Sequence, residues 1–62
     1  MEPGDIGRRV SFQYELPNGY LGEVVGFLEW FDEAAQTYLV KDRHDKLHRV
    51  PLRGVRFGRL VQ

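Results

Sequence analysis

Cysteine is absent from this 62-residue chain. That excludes disulfides and thiolate metal sites and fits a reducing, cytoplasmic setting. No apolar run approaches the ~20 residues of a membrane span. The opening MEPGDIGRR lacks the apolar stretch of a secretory signal. A soluble chain with no membrane partner is therefore expected. Helix signals are poor as well: DEAAQ, residues 32–36, is the one helix-friendly run, and it is too short to stand alone. A net charge is also missing, since nine basic and nine acidic side chains cancel, whereas nucleic-acid-binding domains are commonly basic.

The length allows one domain, residues 1–62. A chain this short buries only about 60% of the surface its unfolded form exposes, so its core is marginal. Stability has to come from the aromatic residues Phe12, Tyr14, Tyr20, Phe27, Trp30, Phe31, Tyr38 and Phe57, or from a partner or adjacent domain. The cancelled charge is unevenly placed. Residues 1–36 carry two basic against seven acidic side chains, a balance of −5, and residues 37–62 carry the reverse, +5. Such asymmetry marks either a polyanion site or acid–base pairing across neighbouring strands.

What the chain does contain is period-two alternation between turn formers. In RRVSFQY, residues 8–14, Val10, Phe12 and Tyr14 share one face, and Arg9, Ser11 and Gln13 the other. Pro17 and Asn18-Gly19 then supply a hairpin turn. The next run, LGEVVGFLEWF (21–31), is apolar on both faces, as expected of a strand that bends so that its halves serve different sheets. Gly22 and Gly26 are candidate points of bend or close approach. TYLVK (37–41), the turn DRHD and KLHRV (46–50) read as a second hairpin. Pro51 to Gly54 predicts a 3₁₀ turn, with Gly54 free to adopt a left-handed conformation.

The final run, Val55 to Val61, places Val55 and Phe57 inward and Arg56 outward. A bulge at Gly58 would then carry Arg59 to water and Leu60 inward, sparing the core an unpaired guanidinium. The sum is an all-β fold: a small five-stranded SH3-like barrel with a 3₁₀ turn before the last strand, its closure removing exposed edges.

Three segments, GDIGRRV (4–10), LPNGYLGEVVGFLEWFD (16–32) and TYLVKDRHDKLHRVP (37–51), resemble the SH3-like module that precedes the catalytic domain in many actinobacterial GNAT-type N-acetyltransferases. The likeness lies in Asp5-Ile6-Gly7-Arg8-Arg9-Val10, Leu16-Pro17, Val24 to Leu28, Phe31-Asp32 and Arg49-Val50-Pro51. It departs at the longer EAAQ turn and at bulky Phe57. The glycine-rich loop that cradles acetyl-CoA in that family has no counterpart in these 62 residues. The resemblance therefore implies the accessory module alone: no enzyme, no cofactor, and a docking or scaffolding role.

Candidate sites follow from exposure and charge. Trp30, Phe31 and Tyr20, flanked by Arg53 and Arg56, are the expected contact surface for a protein partner, because clustered aromatics anchor interfaces. Self-association is a further expectation. The alternative is nucleic-acid binding through Arg49, Arg53, Arg56 and Arg59, since guanidinium groups donate paired hydrogen bonds to phosphate. The plainer account pairs these arginines with Glu23, Glu29, Asp32 and Glu33 across strands. His44, Asp45 and His48 lack the third strong ligand of a zinc site, so no metal is expected. His44 reads as a solvated turn and His48 as a half-buried wall. Ser11 and Thr37 are lone strand hydroxyls with no base near them in sequence. Asp32-Glu33 reads as a solvated turn.

Overall fold

The computed structural model describes all 62 residues. Five strands alternate with tight connections: β1 (Arg9–Glu15), β2 (Leu21–Asp32), β3 (Thr37–Lys41), β4 (Leu47–Pro51) and β5 (Val55–Leu60). Two 3₁₀ turns accompany them, η1 at Pro3–Asp5 and η2 at Leu52–Gly54. The sheet is antiparallel with strand order β4-β3-β2-β1-β5. This is the all-β SH3-like barrel read from the alternation, with a 3₁₀ turn before the last strand. No helix is long and apolar enough to cross a membrane.

Local chemistry accounts for the connections. Gly19 adopts φ +88° in the β1–β2 turn, where Asn18 Oδ1 accepts the Tyr20 N–H at 3.1 Å. Gly7, at φ +89°, turns the N-terminal lead-in onto β2. There its N–H donates to the Leu28 carbonyl, and the Leu28 N–H donates to that of Arg8. In the β3–β4 turn Asp42 Oδ1 accepts the N–H groups of His44 and Lys46.

β2 does not serve two sheets as expected, because all five strands form one; within it residues 21–27 pair with β1 and residues 27–32 with β3. The change of face comes at a bulge between Leu28 and Trp30. Before it Val24, Gly26 and Leu28 are buried; after it Trp30 is exposed and Phe31 packs against the core. Gly26 is a point of close approach, since a side chain there would run into the Lys41 carbonyl. Gly54 is not left-handed. It stays small because a Cβ would lie 2.9 Å from the Glu15 carbonyl oxygen.

The core consists of Val10, Phe12, Tyr14, Val24, Leu28, Tyr38, Val40 and Val50, with Leu16, Phe31, Val55 and Leu60 packed against it. Tyr38 sits between Phe12 and Phe31, at ring-centroid distances of 4.9 and 4.8 Å. The Thr37 hydroxyl is satisfied by the Ala35 carbonyl, and no buried side-chain polar atom is left without a partner.

The last strand corrects two expectations. Phe57 points outward and is 56% exposed. The irregularity lies not at Gly58 but at Arg56, because Gln13 pairs with Phe57 while the next residue, Tyr14, pairs with Val55. Gly58 therefore lies opposite Phe12, and the phenyl ring occupies the space a side chain would need. Arg59 reaches water as expected, and Leu60 packs against the core. The barrel is also not closed by hydrogen bonds: β4 and β5 are the two free edges of one sheet.

Candidate functional site

A hollow of about 670 Å³ opens beside β2 and β3. Its wall is assembled from segments far apart in sequence. Met1, Glu2, Pro3 and Ile6 come from the lead-in, and Leu28, Trp30 and Phe31 from β2. Glu33 and Gln36 come from the following turn, Tyr38 from β3 and Leu52 from η2. Two contacts hold these pieces in place. The Leu52 N–H donates to the Gln36 carbonyl at 2.9 Å, tying η2 to the β2–β3 turn. The Glu2 N–H donates to Asp5 Oδ2 at 2.9 Å, ordering η1.

Trp30 lies at the bulge that ends the inward alternation of β2, which is why this large side chain is 60% exposed. Phe31, one position on, lies against Tyr38 and forms the floor. No lysine or arginine side chain lines the hollow; the N-terminal ammonium of Met1 donates to the Tyr38 hydroxyl at 3.5 Å, and Glu2 and Glu33 line it with neither carboxylate in an ion pair. Apolar walls with an acidic rim suit an apolar group that carries a cation beside it.

The residues expected on this surface divide. Trp30 and Phe31 share the hollow; Tyr20, Arg53 and Arg56 are outside its lining. Tyr20 stands 73% exposed at the β1–β2 turn, and Arg56 is paired with Glu15. The lead-in residues and Leu52 were missed from sequence, and the one local signal for them was apolar character beside turn formers.

The arginines of the alternative site are also distributed. Arg49 is on edge strand β4, Arg59 on the opposite edge strand β5, and Arg53 on η2. Cross-strand neutralisation is sparse: the only carboxylate pairs are Arg56 with Glu15, Lys41 with Glu29 at 3.4 Å, and His48 with Asp42.

A second, smaller notch of about 390 Å³ lies beside the β3–β4 turn. There His48 Nε2 meets Asp42 Oδ2 at 2.7 Å. That hydrogen bond, helped by the backbone N–H groups of Lys46 and His44, holds the Asp42 carboxyl down at about 2, against the opposing effect of burial. The carboxylate partner of His48 is thus Asp42 rather than Asp45. His44 is exposed and His48 half-buried, as read. No group of three His, Cys, Asp or Glu side chains is placed to hold a metal.

Fold and site together define a small β-barrel with one open, acid-rimmed apolar hollow. Comparison with known families, with curated proteins and with solved structures finds no match for this chain.

Proposed function

We propose that this chain is a non-catalytic docking module of the cytoplasm, and that the hollow around Trp30 and Phe31 is where its partner binds. The observation that carries this reading is a large tryptophan held in water beside an apolar floor, the arrangement of an interface anchor awaiting its counterpart. Glu2 and Glu33 at the rim specify the partner further, as a segment with an aliphatic or aromatic side chain next to lysine or arginine. The resemblance to the accessory module of GNAT-type acetyltransferases makes an adjacent or partner domain the natural source of that segment.

Trp30 is the sole tryptophan, so its emission reports occupancy directly. A displayed library of random peptides should yield ligands in which an apolar residue neighbours a cation. Their binding should shift the Trp30 emission to the blue. Leu52→Ala should weaken them, and Glu33→Gln should reduce their salt sensitivity. A library that yields no ligand, or ligands that bind Trp30→Ala and Leu52→Ala at full strength, would refute the assignment.

A further inference from the structure

Pairing register places a second set of groups on the outer face of β5, β1 and β2, away from the hollow. Phe27 lies directly opposite Arg9. Arg59 lies opposite Ser11, and Phe57 opposite Gln13. Both phenyl rings are more than half exposed, at 51% and 56%. Neither Arg9 nor Arg59 has a carboxylate partner. The acids nearby are already engaged: Glu23 is within hydrogen-bonding reach of Gln13 Nε2, Glu15 is paired with Arg56, and Asp42, which shares the smaller notch with Arg9 and Phe27, is paired with His48.

The face thus carries two aromatic–guanidinium pairs, Phe27 with Arg9 across strands and Phe57 with Arg59 along one strand. Sheet geometry sets them apart. The rows differ by about 13 Å along β1, and the strands by about 10 Å across, a diagonal of about 16 Å. Between them lies the short side chain of Ser11, leaving a shallow floor.

We infer that this face binds single-stranded nucleic acid, each phenyl ring stacking on an unpaired base and each neighbouring arginine holding a phosphate. The charge complementarity is local, which is why the formal neutrality of the whole chain does not oppose it. Single strands are favoured over duplex because stacking needs an exposed base face, and no helix or long loop projects from this sheet to enter a groove. They are favoured over an acidic protein because the two rings stand at opposite ends of the face with Ser11 and Gln13 between them and only Val25 apolar beside Phe27, whereas a protein interface would centre on a broad contiguous apolar patch. The site shares only Arg59 with the arginine set named from the sequence, since the aromatics and Arg9 come together through strand register alone.

The test is fluorescence anisotropy of a labelled oligothymidylate at increasing salt, with the full chain. Binding should weaken linearly in log salt. Phe27→Ala and Phe57→Ala should each cost roughly ten-fold in affinity. Arg9→Gln and Arg59→Gln should each lower the salt slope by about 0.7. Circular dichroism should show all four variants folded, because the positions are exposed. Trp30→Ala should leave oligonucleotide binding unchanged, which keeps this test separate from that of the hollow. Absence of binding at low salt overturns the inference. So does binding that survives both phenylalanine substitutions, or polyglutamate competing as well as the oligonucleotide, which would mark an acidic-protein surface instead.

Discussion

A methyl group on Gly58 would sit 2.8 Å from Cε1 and 2.9 Å from Cδ1 of Phe12, a ring that is 98% buried by virtue of its 2% exposure. With no room for the ring to retreat, Gly58→Ala should destabilise the fold by about 1–3 kcal/mol, the cost of overpacking a filled core. Gly26 is tighter still, because the obstacle is the Lys41 backbone rather than a side chain. Gly26→Ala should therefore lower the thermal midpoint more than Gly58→Ala, and a melting comparison of the two variants checks the order. This also explains why Phe57 was misplaced from sequence. A bulge at Gly58 and one at Arg56 both bring Arg59 to water and Leu60 inward. Only the volume of Phe12 across the ladder chooses between them, and no local pattern in VRFGRL carries that information.

Among the elements, the strands and their turns were legible because alternation, Asn18-Gly19 and the proline before η2 are local signals. Absent from such signals is how distant pieces meet, and the hollow is built from a lead-in, a turn and a 3₁₀ turn that touch only after folding. The same holds for the open edges, which the alternation could not distinguish from a closed ladder. β5 is one of these edges and should recruit further strands unless something prevents it. Arg56 and Arg59 stand exposed along it, where two copies pairing edge to edge would bring like charges together. Replacing both with valine should promote self-association, read as a steeper rise of scattered light with concentration than the unmodified chain shows. Equal scattering would mean that the arginines do not guard this edge. A milder contrast applies to the faces of β2: Val24→Ser, in the core, should destabilise strongly, whereas Val25→Ser, on the exposed face, should stay within about 0.5 kcal/mol.

For the molecule as a whole, the opposed charges of its two halves are not erased by pairing, because three carboxylate contacts serve nine acidic side chains. Its acid response therefore depends on where a carboxylate is structurally committed, and Asp42 is such a place: one oxygen accepts two backbone N–H groups of the β3–β4 turn and the other meets His48. The folded chain holds its carboxyl at about 2, below the ordinary 3.8. A carboxylate lowered in this way stabilises the fold at every pH above its unfolded value and loses that effect as pH falls toward the folded one. The contribution of Asp42 should accordingly be complete above the ordinary value and disappear between 3.8 and about 2. Asp42→Asn should be less stable than the native chain near neutrality, and the gap between their thermal midpoints should close as the solution is acidified through that window. Midpoints that fall in parallel down to pH 2 would show that the turn draws nothing from the charge of Asp42, and that its N–H groups are served as well by a neutral acceptor.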